Sequence, residues 1–287
     1  MAITSIRCQT GPMTTTTAPV PFGALLRQWR SHRRVSQLEL SSKAEVSTRH
    51  LSFVETGRSQ PSREMVLRMC VHLDVPLRER NRLLLAAGFA PVYPENDLAS
   101  PQMEPARIAV REVLEAHLPY PAVAVDRTWN IVDANAAVVV LTQVVSPALL
   151  AQQPLNALRL TLHPDGVAPH ITNLGQWRAA VLAALLRSAH ARADTEMLAL
   201  HDELLAYPGD ESDSDQAVTD PGAIYVPLKL RVGDTDLSFL AIIATFGTAL
   251  DITLSELAIE SFFPADTVTS DYLRRFDQQD DGTQPAL

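Results

Sequence analysis

Two helix starts lie only eleven residues apart in the stretch SQLELSSKAEVSTRHLSFVETGRSQPS, which runs from Ser36 to Ser62. Ser36 followed by Glu39 forms a capping box, and Ser47 can cap a second helix that ends before Gly57. Apolar residues recur through both segments at helical spacing, namely Leu38, Leu40, Ala44, Val46, Leu51 and Val54. Two short helices joined by a tight turn brace each other. The stretch therefore predicts a helix-turn-helix.

Polar residues at the front of the second helix are typical of a surface that reads DNA. The first residues of such a helix face the major groove, where each base pair presents different donors and acceptors. The predicted contacts from this helix come from Ser47, Thr48, Arg49, His50 and Ser52. Gln37 is expected to reach a phosphate and to buttress the second helix, while Arg58 and Ser59 are expected to contact the DNA backbone.

The individual assignments within this helix differ in strength. Arg49 is the preferred candidate for a bidentate guanine contact, because its planar guanidinium matches two acceptors on that base. Thr48 could instead cap the helix, and His50 could simply be exposed to solvent. The alternative for the whole stretch is a set of packed helices with solvated polar faces.

The charge is distributed very unevenly along the chain. The net charge of −9 argues at first against a nucleic-acid partner. Residues 22–90 carry twelve Lys and Arg against six Asp and Glu, a net of +6, whereas residues 91–287 carry eleven against twenty-seven, a net of −16. A basic segment of this kind favours a polyanionic partner, and the acidic remainder should not lie along DNA.

The length of 287 residues suggests two domains. Residues 1–21 are predicted to be a disordered tail, with Met1 or Met13 as the start, and residues 22–90 to form five short helices. Residues 91–105 are predicted to be a linker, residues 106–276 a second domain, and residues 277–287 a frayed end. The predicted fold class is multidomain α+β, with an all-α domain followed by a domain built on a mostly antiparallel sheet.

The second domain is predicted to contain about five strands with helices around them. Two short strands should flank a turn at Asp126–Thr128, and a hairpin should turn at Gly233-Asp234. Helices are predicted at 105–117, 174–192, 195–205, 254–266 and 268–276, and an acidic loop at 208–222. The strand LSFLAIIATF, residues 237–246, is apolar on both faces and should be central in its sheet.

The helical segment resembles the DNA-binding domain of lambda-repressor-like regulators of the XRE family. The residues that carry the resemblance are Ser36-Gln37, Leu40-Ser41, Val46-Ser47, Ser52, Glu55-Thr56-Gly57 and Pro61-Ser62. Ser41 is a departure, since that family usually has Ala there. The resemblance implies binding to a double-stranded DNA operator.

The acidic half resembles the ligand-binding domain of MmyB-like regulators, which follows an XRE-type domain in that family. The matching stretches are Thr245–Thr248, Asp251–Leu254, Glu256-Leu257 and Phe263–Asp266, and HDELLAYPG (residues 201–209) resembles a subgroup of the family. The resemblance implies a PAS-like sensor with an apolar cavity, for which fatty-acid-like ligands have been proposed.

The residues themselves support such a cavity only through apolar side chains on elements that should face one another. The candidates are Trp129, Ile131, Leu141, Trp177, Val181, Leu185, Phe239, Ile243 and Phe246. The alternative is that these residues are simply core. The two tryptophans are the stronger candidates, because a buried indole needs a hydrogen-bond partner.

Motifs for catalysis, metals or cofactors are not evident in the sequence. It contains no GxGxxG, P-loop, HExxH or GxSxG pattern, and its Cys and His spacings fit no zinc site. His163 and His170 flank a Pro/Gly loop and leave haem as a minor alternative. We therefore predict no metal, no cofactor and no enzymatic activity.

The sequence leaves three hypotheses open. The first is a cytoplasmic, homodimeric regulator whose second domain senses a small apolar ligand and shifts DNA binding. The second is a DNA-binding regulator whose acidic domain only dimerises or recruits a partner protein, which requires no cavity. The third is an enzyme tethered to DNA, for which a cleft with strongly shifted titratable groups would be needed. No run of apolar residues is long enough to span a membrane.

Overall fold

The structure is a computed structural model that describes residues 20–209 and 224–280, with side chains through residue 276. Residues 1–19 of the predicted disordered tail, most of the acidic loop and residues 281–287 of the predicted frayed end lie outside these residues. Residues 277–280, predicted to be frayed, continue the last helix of the chain. The chain divides into two compact units, one up to Val92 and one from Tyr93 onward.

The described residues of the first unit, from residue 20 onward, form five helices, as predicted. Their bounds are α1 Phe22–His32, α2 Gln37–Lys43, α3 Thr48–Glu55, α4 Arg63–His72 and α5 Leu77–Ala86. Their inward faces form one apolar core that includes Leu26, Leu40, Leu51, Met69 and Leu84, all of which are buried. The burial of these side chains is the main stabilising contribution to a unit of this size.

Gly23 allows α1 to approach the end of α3 very closely. A Cβ atom at this position would lie 2.5 Å from the Glu55 carbonyl oxygen and 2.6 Å from that of Val54. These atoms belong to the backbone and cannot move aside easily, so only glycine fits. The contact fixes the C-terminal end of α3 against α1.

The second unit is built on a five-stranded antiparallel sheet in the order β2-β1-β5-β4-β3. The strands are β1 Ala122–Val125, β2 Ile131–Ala134, β3 Leu228–Val232, β4 Thr235–Thr245 and β5 Ala258–Pro264. The helices are α6 Glu104–Ala116, α7 Val139–Thr142, α8 Pro147–Leu150, α9 Ala157–Leu162, α10 Leu174–Arg192, α11 Thr195–Leu205, α12 Ile252–Glu256 and α13 Thr267–Asp280. Short 3-10 helices lie at residues 101–103, 136–138 and 168–170.

Two apolar clusters stabilise this unit. A small cluster joins Val110 and Leu114 of α6 to strands β1 and β5 and includes Ile259. A much larger cluster joins β3 and β4 to helices α7 to α11 and includes Leu204 and Phe239. The sheet therefore separates a small helical layer from a large one.

Asn135 joins three parts of the small layer. Its buried side chain accepts a hydrogen bond from the Ala122 N–H (3.1 Å) and donates to the carbonyls of Leu114 (3.0 Å) and Tyr120 (2.8 Å). It makes no side-chain cap to the helix that follows. Its amide therefore fixes the end of β2 against β1 and α6.

One prediction for this unit is wrong, and another holds only for part of its strand. The stretch Leu254–Asp266 was expected to be helical, but after the short helix α12 it forms β5, which lies at the centre of the sheet between β1 and β4. Strand β4 lies inside the sheet, between β5 and β3, as predicted, but it pairs with β3 only over Thr235–Phe239. Beyond this point Ile242 and Ile243 are about half exposed, so the strand is not buried on both faces.

The segment before α6 also belongs to the second unit. Asn96, in the predicted linker, donates from both its backbone N–H and its side chain to Asp251 Oδ2, at 3.1 and 2.8 Å. The Ile252 N–H donates to the Pro94 carbonyl at 2.8 Å. These bonds attach residues 94–96 to the start of α12.

Candidate functional site

Helices α2 and α3 have the capping that the sequence predicts. The Ser36 hydroxyl accepts from the Glu39 N–H and the Ser47 hydroxyl accepts from the His50 N–H, both at 3.1 Å. Between the two helices, Glu45 adopts a left-handed backbone conformation with φ of 54°. Each cap satisfies a backbone donor that the helix itself leaves without a partner, so both starts are fixed locally.

The outer face of α3 presents an arginine and an aromatic ring together. Leu51, Val54 and Glu55 point inward and are buried, which leaves Arg49 exposed and Phe53 half-buried on the opposite side. The Arg49 guanidinium carbon lies 5.3 Å from the centre of the Phe53 ring, within cation–π range. Sequence reasoning missed Phe53, although its i, i+4 spacing from Arg49 places both residues on one face.

Other candidates on α3 are less free than the sequence suggested. The Thr48 hydroxyl lies 2.9 Å from that of Ser41, which is buried and itself donates to the Leu38 carbonyl at 2.9 Å. Thr48 is therefore the donor to Ser41 and is directed toward α2. This contact accounts for a hydroxyl at position 41, where the resembling family has a methyl group. His50 and Ser52 are half-buried on α3.

Glu55 connects three elements of the first unit through its buried carboxylate. It accepts hydrogen bonds from Arg30 Nε (2.7 Å), Arg30 Nη2 (3.0 Å) and Gln37 Nε2 (2.7 Å), and Arg27 lies 3.5 Å away. Burial alone would raise the pKa of this carboxyl, but the bonds from Arg30 and Gln37 outweigh it and hold the pKa below its usual range. Gln37 thus buttresses α3 by binding Glu55.

The loop after α3 is formed around Gly57, whose φ of 74° is left-handed. Both the Arg58 and the Ser59 N–H groups donate to the Phe53 carbonyl, at 2.8 and 3.2 Å. The Arg58 side chain is exposed and Ser59 is half-buried. The loop is therefore ordered by its own backbone, with a cation at its surface.

In the second unit, most of the predicted ligand residues lie together in the large apolar cluster. Its buried members include Leu141, Trp177, Leu185 and Phe239, and Trp129, Ile131 and Val181 pack against it. The other two predicted ligand residues, Ile243 and Phe246, do not lie in this cluster. Ile243 is 51% exposed, and Phe246 packs on the small cluster with Val110.

Trp177 is the one predicted ligand residue that carries an unsatisfied polar atom. Its indole Nε1–H is buried in the large cluster and has no hydrogen-bond partner among the described residues. An unpaired buried donor costs about 1–3 kcal/mol. A bound molecule with an acceptor atom at this position would remove that cost.

Glu260 places a carboxyl group near the middle of the sheet. It lies on β5 between Val123 of β1 and Ile243 of β4, and no described residue forms a hydrogen bond or ion pair with it. Glu260 is only half-buried by exposed area, but the surrounding sheet desolvates its carboxyl without a compensating partner and raises its pKa to about 7. Sequence reasoning assigned this residue to a helix and did not single it out.

The described residues line two adjoining cavities elsewhere, with volumes of about 330 and 300 Å³. The ion pair between Arg159 and Glu203 borders both of them. None of the ligand residues predicted from the sequence lines either cavity. Arg159 and Glu203 are 44 positions apart, so their pairing became visible only in the folded chain.

Residues 20–209 and 224–280 contain neither a cluster of metal-ligating side chains nor a helix suited to a membrane span. No group of three or more His, Cys, Asp and Glu side chains in these ranges could hold a metal ion. No helix in the same ranges is long and apolar enough to cross a membrane.

Comparisons with known proteins agree with both units. A helix-turn-helix domain model matches residues 21–83, which makes the chain a DNA-binding transcription regulator. The model of the MmyB-like transcription regulator ligand binding domain matches residues 106–276, more than half of the chain. The chain therefore belongs to the MmyB-like family of transcription regulators.

Individual relatives add little to this assignment. Among solved structures, the chain is similar to the clp gene regulator ClgR from Corynebacterium glutamicum, with 28% identity and a TM-score of 0.21. That match covers 34% of this chain and 90% of the other. No curated protein matches the chain.

Proposed function

We propose that α3 is the recognition helix of an XRE-type DNA-binding domain and that Arg49 reads a base of the operator. The observation that carries this proposal is the Glu55 network, because it fixes α3 against α1 and α2 from the inner side. The same arrangement leaves Arg49 and Phe53 on the outer side. Arg58 and Ser59 would then contact the DNA backbone beside this helix.

Substitution of Arg49 tests this proposal on an operator selected from random DNA. We expect Arg49→Ala to weaken operator binding by about 1–3 kcal/mol and to leave random DNA little affected, in titrations at fixed salt. The matched control is Arg82→Ala, which removes an exposed arginine paired with Glu79 in the same unit. An equal loss on operator and random DNA would refute base reading by Arg49.

For the second unit, we propose a PAS-like sensor that takes a small apolar, fatty-acid-like ligand into the large cluster. The support comes from two observations: Leu141, Leu185 and Phe239 belong to the same apolar cluster as Trp177, and the Trp177 indole donor is buried without a partner. The proposal assigns no catalytic step to the chain. Because its target is chromosomal DNA, the regulator is expected to act in the cytoplasm.

The indole resonances of the full-length protein test the ligand proposal. The chain has three tryptophans, and single Trp→Phe variants assign their signals in an ¹H–¹⁵N spectrum. We expect dodecanoate to shift the Trp177 signal strongly and to leave that of Trp29, which lies in the first unit, unchanged. Saturating dodecanoate without any change at Trp177 would contradict this placement of the ligand.

The regulator is proposed to act as a homodimer on two operator half-sites about 34 Å apart, one turn of duplex. A second candidate function, in which the acidic unit only dimerises or recruits a protein, is favoured by one observation. The second half of β4 exposes Ile242 and Ile243 about half to solvent. Light scattering of an Ile243→Lys variant tests this surface, because loss of the dimer would assign it to assembly. The second candidate is favoured only if the wild-type protein also fails to bind dodecanoate.

A further inference from the structure

The cavity of about 330 Å³ combines an apolar wall with a charged rim. Leu149 and Leu160 line it and are also members of the large buried cluster. Arg159, His163 and Tyr207 line it as well. Its volume lies at the lower end of the range for small-molecule sites, about 300–1,000 Å³.

Arg159 retains unused hydrogen-bonding capacity at this rim. Its Nε and Nη2 donate to the two carboxylate oxygens of Glu203, at 2.7 and 2.8 Å. A guanidinium has five N–H donors, so the edge formed by Nη1 and Nη2 can still hold a second carboxylate. Besides these two bonds to Glu203, the guanidinium also interacts with the Tyr207 hydroxyl.

The Glu203 carboxylate is held at this rim by two side chains, Arg159 and Tyr207. Its Oε1 also accepts from the Tyr207 hydroxyl at 2.8 Å, so both of its oxygens are engaged. Arg159 and Tyr207 hold the pKa of Glu203 below its usual range, and burial with the Glu203 contact raises that of Tyr207 to about 12. The pair therefore stays ionised and Tyr207 stays neutral across the physiological range.

His163 adds a second donor. Its Nδ1 accepts from the Asp165 N–H at 3.0 Å, which assigns the proton of the neutral imidazole to Nε2. Its ring packs edge-on against that of Tyr207, with centroids 5.2 Å apart, so its orientation is fixed. The Asp165 carboxylate lies 3.9 Å from Nδ1 and is mostly exposed.

We propose that this cavity is a binding site for a small organic carboxylate with a short apolar body. The carboxylate would bind the open guanidinium edge of Arg159 and the Nε2–H of His163, while the apolar body contacts Leu149 and Leu160. The site differs in place and in ligand size from the apolar sensor proposed above, so the two can hold or fail independently.

Calorimetric titration of the full-length protein tests the site with 3-methylbutanoate and its neutral isostere 3-methylbutanamide. We expect the acid to bind at least ten-fold more tightly than the amide. Arg159→Gln should weaken binding of the acid at least ten-fold, since hydrogen bonds to charged groups are the stronger ones. Arg231→Gln is the matched control, because it removes an exposed arginine that pairs with Asp236 away from the cavity.

A second variant tests the site independently, in case Arg159→Gln does not fold. His163→Asn keeps an oxygen that can accept the Asp165 N–H but lacks the Nε2 donor, and we expect about five-fold weaker binding. Equal affinity for acid and amide, no binding of either, or the same loss in the Arg159 and Arg231 variants would overturn the proposal. Dodecanoate binding that persists in Arg159→Gln would leave the apolar sensor intact in each of these cases.

Discussion

Replacement of Glu55 is expected to loosen the first unit more than any surface ion-pair change. Its side chain has no exposed area, and it accepts three hydrogen bonds from Arg30 and Gln37. Glu55→Ala would leave both donors without this partner. Since these contacts fix α3 against α1 and α2, the recognition helix should become the part most affected.

The expected loss of stability in Glu55→Ala depends on how deeply the partners of Glu55 are buried. Removing one member of a buried ion pair typically costs about 3–5 kcal/mol. The Arg30 side chain keeps 15% of its area exposed and donates separately to the Val35 carbonyl, so we expect about 3 kcal/mol for Glu55→Ala. Glu55→Gln keeps the shape and an acceptor oxygen and should cost about 1–2 kcal/mol.

Hydrogen exchange of the backbone amides in α1 and α3, read by mass spectrometry on the full chain, measures this loss locally. Glu39→Gln is the control, because Glu39 pairs with Lys43 on an exposed surface and its replacement should leave the exchange of α1 and α3 unchanged. A Glu55→Ala variant that exchanges like this control would refute the role assigned to the network.

The same network predicts a pH dependence with a defined sign. The pKa of Glu55 is lower in the folded chain than its ordinary value of 4.5. The contribution of ionised Glu55 to the stability of the fold is therefore fully present above about pH 4.5, and it is lost as the pH falls through the pKa of the folded state. Glu55→Gln should remove this part of the acid sensitivity from the exchange of α3.

The remaining predictions concern single contacts. In urea titrations, Ser41→Ala and Thr48→Val should each lower the free energy of unfolding by about 1 kcal/mol. The double variant should lower it by clearly less than the sum of the two, because the two hydroxyls share one hydrogen bond. Asn135→Ala should cost about 2–3 kcal/mol by the same measurement, since buried backbone groups lose their partners. The pKa of Glu260 is raised to about 7, so its protonated carboxyl favours the folded state at low pH. This contribution to stability is lost as the pH rises through that value. Glu260→Gln should therefore stabilise the second unit at pH 8 and not at pH 4.

Local signals in the sequence were sufficient to predict the helices of the first unit. The serines at positions 36 and 47 cap α2 and α3 as expected, because a cap needs only a hydroxyl three residues before its donor. The role of Glu55 was not evident, since Arg30 lies 25 positions away and only the folded chain brings them together. Phe53 was overlooked because its exposure depends on which face of α3 is buried.

The second unit shows where local patterns fail. Helix α10 has the bounds expected from the sequence, whereas the stretch that contains β5 was expected to be helical. In that stretch Leu254, Leu257 and Phe262 fit a helical spacing, and a short apolar run fits either structure. Pairing on both sides with β1 and β4 decided in favour of the strand. The cavity at Arg159 likewise depends on partners distant in sequence.

The most direct test of the central claim is the affinity of the full-length protein for its selected operator with and without saturating dodecanoate. The account predicts a change of about five-fold or more, with the same factor when dodecanoate affinity is measured with and without operator, because coupling is reciprocal. Unchanged operator affinity at saturating dodecanoate would contradict a ligand-controlled regulator. It would favour a second unit that serves assembly alone.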